Sequence, residues 1–250
     1  MQLSKKRAGR RSATAVSLTA LAGVVALTAP AHAVVGGGDA PVPETWMASL
    51  QTQDGAFCGG TLIDRQWVLT AFHCVGAGDI PKEAMKVRIG SLAVGKGGTV
   101  TGVEKIVTHP DSKYADNTYS GPDVALLKLK EPVRNRPAAL SGKTPPTGTP
   151  ARVLGWGNAC KDAICFPERL QELTLPLSTK LKDKIRFQDD KFRGSGPGDS
   201  GGPLVVKSGG SWRLAGVVSS GVRTPTHAIS SFTDVAQYRN WIDRSIKKPR

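Results

Sequence analysis

The stretch Gly198-Asp199-Ser200-Gly201-Gly202-Pro203 decides how this chain is read. A serine hydroxyl is a poor nucleophile until a base takes its proton and N–H donors receive the charge that grows on the substrate oxygen. Glycines around such a serine let the backbone come close to a substrate and aim its amides into one small space. On its own, a Gly-Ser-Gly-Gly run is an ordinary flexible turn. Two upstream segments change its weight. Leu69-Thr70-Ala71-Phe72-His73-Cys74 places a histidine after the apolar, strand-like run Trp67-Val68-Leu69 and beside a cysteine. Asp123-Val124-Ala125-Leu126-Leu127-Lys128-Leu129 places an acid directly before an apolar strand. Taken singly, the histidine reads as a satisfied structural residue and the acid as a strand-edge solubility device.

In the order His73, Asp123, Ser200, the segments TAFHC, DVALL and GDSGGP resemble the chymotrypsin family of serine endopeptidases, whose motifs read TAAHC, DIALL and GDSGGP. That order separates the family from other folds carrying the same chemistry. The resemblance covers nearly the whole chain after residue 33. Val34-Val35-Gly36-Gly37 is similar to the family's mature N-terminus, and Phe57-Cys58-Gly59-Gly60-Thr61-Leu62-Ile63 to its first cysteine strand. Gly155-Trp156-Gly157 matches its central GWG, Ser219 and Gly221 a substrate-binding strand, and Tyr238-Arg239-Asn240-Trp241-Ile242 its C-terminal helix.

The resemblance implies an all-β fold: two antiparallel six-stranded β-barrels with a C-terminal α-helix and the site between the barrels. The N-terminal barrel would span residues 34–135 with His73 and Asp123, and the C-terminal barrel residues 136–250 with Ser200. The stretch from Glu131 to Pro150, with five prolines, reads as the linker. In this frame His73 is the general base and then the general acid. Asp123 holds its tautomer and stabilises the imidazolium. Ser200 attacks the carbonyl to form an acyl-enzyme, and the N–H groups of Gly198 and Ser200 form the oxyanion hole. A freed α-amino group on Val34 would pair with Asp199.

The same frame assigns Gly194, Ser195, Ser219, Gly221 and Ser230 to the substrate pocket. Gly194 stands at its base, where trypsin-like members carry Asp. A desolvated cation needs a paired charge, so apolar or small uncharged side chains are expected there rather than Lys or Arg. Ser230 replaces a glycine of the opposite wall and Ser220 the usual tryptophan, and the segment from Leu170 to Pro197 is shorter than its counterpart. Arg193 and Arg223 near the rim give a minor reading, a preference for acidic side chains. The implied partners are protein or peptide substrates, with a monomeric enzyme and no nucleic acid. No cofactor and no metal are expected. Calcium-binding relatives carry paired acids in the segment from Gly90 to Val103, where this chain has none before Glu104. The competing reading is a catalytically weak or dead member that acts as a cationic binding protein.

The ends and the composition agree with export. Lys5, Lys6, Arg7, Arg10 and Arg11 open the chain, an uncharged stretch rich in Ala, Val, Leu and Thr runs from Ser12 to Pro30, and Ala31-His32-Ala33 closes it. Residues 1–33 therefore read as a secretory signal peptide, and the protein as secreted and extracellular, with no membrane attachment after signal removal. Cleavage after Ala33 would expose Val34 directly; the site Ala29-Pro30-Ala31 would leave two residues before it. Arg10-Arg11 keeps twin-arginine export open beside general secretion. Without the leader's five basic residues, 34 basic and 20 acidic side chains fall to a charge of about +9. This reads as a solvated basic surface, and no nucleic-acid module is visible. Lys180, Lys182, Lys184 and Arg186 alternate, as one face of a strand or a loop rim.

Four cysteines in an exported chain suggest two disulfides, with three pairings open in principle. The family resemblance implies Cys58 with Cys74, which leaves Cys160 with Cys165. The family's cystine beside the specificity pocket is absent, Gly196 standing at its first position. Short apolar runs recur between turns, among them Trp46–Leu50, Lys86–Ile89, Ala151–Leu154 and Leu214–Val218, and several alternate with the period of half-buried strands. Only Val235 to Ile246 has helical spacing, with Thr233 or Asp234 as its cap.

Overall fold

Strands dominate the computed structural model of the protein, which describes residues 34–116, 118–160 and 163–247. The leader reading of residues 1–33 lies outside the described residues. The first half contributes β1 (Gly38–Asp39), β2 (Met47–Thr52), β3 (Gly55–Asp64), β4 (Trp67–Thr70), β5 (Lys86–Ile89), β6 (Thr99–Thr108), β7 (Lys113–Ala115), β8 (Thr118–Ser120) and β9 (Ala125–Leu129). The order β2-β3-β4-β9-β6-β5 closes into a six-stranded barrel, with β7 and β8 as a separate hairpin. The barrel strands β2, β3, β4 and β9 bury half or more of their length, and Met47, Leu50, Leu62, Leu69, Ile89 and Leu127 are fully buried. Each such side chain contributes about 1.5–3 kcal/mol relative to exposure.

The second half contributes β10 (Ala139–Leu140), β11 (Pro150–Gly155), β12 (Gln171–Pro176), β13 (Thr179–Leu181), β14 (Lys184–Asp189), β15 (Pro203–Ser208), β16 (Ser211–Arg223) and β17 (Ala228–Asp234). Its sheet runs β1-β12-β11-β15-β16-β17-β14-β13, with β10 added in parallel to β16. The six long strands β12, β11, β15, β16, β17 and β14 match the expected six; three short strands of two or three residues make up the nine. Phe187 and Phe232 meet edge to face in its core, their ring centres 5.0 Å apart. The alternating cations divide over the hairpin: Lys180 lies on β13, Lys182 in the turn, and Lys184 and Arg186 on β14.

The proline-rich segment is stitched to both halves. Ala138 donates its N–H to the Leu62 carbonyl (2.9 Å), and the next two residues pair with Arg213 and Leu214 on β16. The chain ends in α1 (Val235–Lys247). Asp234 caps it, Oδ1 accepting the Ala236 N–H at 3.1 Å. Val235 and Ile242 are its buried side chains.

Candidate active site

His73 sits in a single 3-10 turn, Phe72–Cys74, where β4 leaves the barrel. The disulfide Cys58–Cys74 ties this turn to β3; the second disulfide is Cys160–Cys165, so both expected pairs are formed. Asp123 precedes β9 and is fully buried. Its Oδ1 accepts the backbone N–H of His73 at 3.0 Å, and His73 Nδ1 lies 3.0 Å from Oδ2 and 3.2 Å from Oδ1. A ring nitrogen held against a carboxylate carries the proton, which leaves Nε2 with a free electron pair. Burial pushes the Asp123 carboxyl upward, but the hydrogen bonds and charge of His73 and the Ser219 hydroxyl outweigh it, and the net direction is down. Asp123 therefore holds its negative charge.

Ser200 belongs to the turn before β15. Asp199 N–H donates to the Gly196 carbonyl (3.1 Å) and Gly202 N–H to the Asp199 carbonyl (2.9 Å), while Gly198 has φ +90°, a conformation open to glycine. The first barrel grips this turn directly: the Gly59 N–H of β3 donates to the Ser200 carbonyl at 2.7 Å. A Cβ on Gly59 would stand 2.8 Å from the Gly202 Cα. Ser200 and His73 line one cavity of about 300 Å³ beside the Cys58–Cys74 bridge. Ser200 also lines a second cavity of about 390 Å³, walled by Gly194, Ser195, Val218, Gly221, Ala228 and Ile229 among others.

Of the expected pocket residues, Gly194, Ser195 and Gly221 line that second cavity. Ser219 and Ser230 work behind it. The Ser219 hydroxyl donates to Asp123 Oδ2 at 2.5 Å, and Ser230 Oγ accepts the Ser195 N–H at 2.8 Å. Gly194 has φ +154°, and a Cβ there would come 2.4 Å from Ser230 Oγ. Asp189, close by in sequence, faces elsewhere: it accepts from Arg193 Nη2 (2.7 Å) and Nε (3.1 Å) and from the Arg193 and Lys191 amides (3.0 Å each). Arg193 is thereby drawn off the rim, its stem against Gly36, while Arg223 lines the cavity.

Asp199 is fully buried; Oδ1 accepts the Gly157 N–H (2.9 Å) and Oδ2 the Gly196 N–H (2.8 Å). Burial pushes its carboxyl up to about 7, against the smaller lowering by those two amides. Val34 is fully buried in the apolar cluster of the second sheet, and Val35 bridges to Gly194. Cys58, His73 and Cys74 group closely enough to suggest metal ligands, but both sulfurs are spent in the disulfide, which leaves one donor.

Two residues at this site escaped the sequence reading. Tyr119 of β8 stacks on the His73 ring (5.4 Å between centres, 25° between planes), and its hydroxyl lies 3.3 Å from Ser219 Oγ. Lys184 of β14 places Nζ 2.9 Å from Ser219 Oγ and 3.0 Å from Thr233 Oγ1. Neither lies in a motif. A tyrosine in a polar hairpin and a lysine in an alternating basic run carry no local sign of where they point.

A two-sheet all-β chain with a buried carboxylate on a histidine, and a glycine-flanked serine on the same cavity, has the architecture of a serine hydrolase. Comparison with known proteins resolves the class further. Residues 34–242 match the family model described as Trypsin. The chain is 34% identical over 230 residues to trypsin theta of Drosophila melanogaster, covering 84% of each. It is 35% identical over 211 residues to a trypsin of Sarcophaga bullata, covering 77% of this chain and 80% of the relative. With a tryptase of Mus musculus it shares 32% over 247 residues, covering 86% and 89%. The chain belongs to the trypsin family and is a serine endopeptidase, with protein substrates. Among the described residues no helix is long and apolar enough to cross a membrane.

Proposed function

We propose that the protein is a secreted endopeptidase in which His73, Asp123 and Ser200 form the catalytic triad and whose pocket takes apolar or small uncharged side chains. The observation that carries the reading is the 3.0 Å contact of His73 Nδ1 with Asp123, beside a cavity that His73 shares with Ser200. His73 Nε2 takes the Ser200 proton as the hydroxyl attacks the substrate carbonyl. The developing oxyanion is received by the N–H groups of Gly198 and Ser200, each contributing about 3 kcal/mol. Collapse of the tetrahedral species returns the proton to the leaving amine, and water repeats the sequence on the acyl-enzyme.

The specificity reading is supported by the absence of a carboxylate among the described cavity-lining residues and by the capture of Asp189 by Arg193. The activation reading is supported by Asp199, a buried carboxyl whose hydrogen-bond partners among the described residues are two neutral amides. Release of the α-amino group of Val34 supplies a cation that ionises Asp199 and sets the turn bearing Gly198 and Ser200. The reading divides the chain into 34–135 and 136–250, and the enzyme acts as a monomer after loss of residues 1–33. A serine-directed fluorophosphonate should label wild-type protein and spare Ser200→Ala. An unlabelled, correctly folded wild type would refute the triad, and a peptide library won by arginyl or lysyl substrates would refute the pocket.

A further inference from the structure

Lys184 opens β14 at the back of the site, half-buried, with its ammonium between two hydroxyls. Both hydroxyls serve Asp123. Ser219 Oγ donates to the carboxylate Oδ2 (2.5 Å), and Thr233 Oγ1 donates to the Asp123 backbone carbonyl (2.9 Å). An ammonium has donors and no acceptor, and a hydroxyl has one proton. Ser219 and Thr233 must therefore each accept from Lys184, and each has its proton left for Asp123 alone. Tyr119 reaches Ser219 Oγ at 3.3 Å; with that proton committed, the phenol is the donor, and the Ser219 oxygen is saturated. The direction of these protons around Asp123 is set from Lys184.

Charge follows the same path. Asp123 before β9 and Asp183 in the preceding turn act on this ammonium through their charge, while Tyr119 on β8 and His73 on its 3-10 turn connect to it through Ser219 and Asp123. Asp183 is itself held by the Tyr238 hydroxyl of α1 (2.9 Å) and by its own carbonyl's bond to the Asp234 N–H at the end of β17. Burial lowers the proton affinity of Lys184, and the carboxylates of Asp123 and Asp183 oppose this. A cation held behind Asp123 offsets part of the carboxylate's field where it meets the imidazole.

We propose that Lys184 is a positioning residue for the Asp123–His73 pair: it fixes the hydroxyl protons on Asp123, and its charge offsets the carboxylate's field at the imidazole. The proposal rests on the triad assignment above. Its test is the pH profile of kcat/KM for the N-terminally processed enzyme and its Lys184→Met, Lys184→Gln and Lys184→Arg variants, after fluorophosphonate titration of active sites. Loss of the charge in Lys184→Met and Lys184→Gln should move the acidic limb upward by about half a unit or more. Lys184→Met should also lower kcat by about tenfold with little change in KM, since a mis-set Asp123 acts in the transition state. Lys184→Arg should restore the wild-type limb. An unmoved limb in either folded neutral variant, or an equal shift in Lys184→Arg, overturns the proposal. If only Lys184→Arg folds, the lysine is structural and the proposal falls. Failure of wild type to label, or activity surviving in Ser200→Ala, would strike the triad instead.

Discussion

In the first barrel the buried polar side chains are Ser49, Thr61, Thr70 and Ser91, with Asp123 as the lone charged member at its edge. In the second half the buried set includes Arg152, Asp189, Asp199 and Asp234, with Ser219, Ser230, Ser231 and Thr233 beside them. The first half holds the His73 turn by apolar packing and a disulfide, and Asp123 ties that turn to the hydroxyls of the second half. The second half holds Ser200 and the pocket by hydrogen bonds and a buried carboxyl, Asp199, which in the proposed activation responds to chain cleavage. On that proposal one half of the enzyme is a frame and the other a switch.

Removing one group from either half should have the largest effect. Ser200→Ala and His73→Ala should each lower amide hydrolysis by several orders of magnitude while the protein remains folded, because triad members act as a unit. The double variant should be little worse than either alone. Near wild-type cleavage of casein by purified Ser200→Ala would break the picture of one site assembled from two halves.

Next comes the switch. A chain that keeps residues before Val34 should fold yet hydrolyse peptides only weakly, and N-terminal sequencing of the active secreted enzyme should begin Val-Val-Gly-Gly. Asp199 gives this a pH signature. Its folded value of about 7 lies above the ordinary value of 3.8, so the uncut native state binds the extra proton. Stability from this group is complete below about pH 4 and is lost as pH rises through about 7. Cleavage replaces the proton with the Val34 ammonium, so the Tm of the processed chain should exceed that of the extended chain by a margin that widens from about pH 4 to pH 7. A margin independent of pH would mean that Val34 and Asp199 do not meet.

The frame should yield a smaller, measurable loss. Replacing Cys58 and Cys74 by Ala should cost about 2–5 kcal/mol and loosen the turn that carries His73. The same change at Cys160 and Cys165 should cost less, because that bridge spans 5 residues against 16. Equal losses would mean that the first barrel does not depend on its staple.

Legibility in the sequence divides along the same line. Strands of the first barrel announce themselves through short apolar runs between turns, and Trp67–Thr70 and Lys86–Ile89 fall where those runs lie. β17 reads Ala-Ile-Ser-Ser-Phe-Thr-Asp, and its buried hydroxyls look like a loop until their partners are known: the Ser195 amide for Ser230 and the Asp123 carbonyl for Thr233. Ser219 was legible as a site residue through its motif, but its attachment to Asp123 was not, since that contact spans 96 residues. Tyr119 and Lys184 were invisible for the same reason. Chemistry written into a short motif can be read locally; a side chain that acts across the fold cannot.

Gly59 shows what such distance means for tolerance to change. Its strand and register belong to the first barrel, where it pairs with Ser49, and within that barrel alone the position reads as an ordinary place for a small strand residue. The space its missing side chain would fill is occupied by Gly202, and its amide holds the carbonyl of Ser200. The allowed alphabet at position 59 is therefore written by the other half of the molecule. Exchange of the first barrel between relatives would carry this glycine along as a silent passenger, and a single methyl group there would press on the backbone of Gly202, two residues past Ser200.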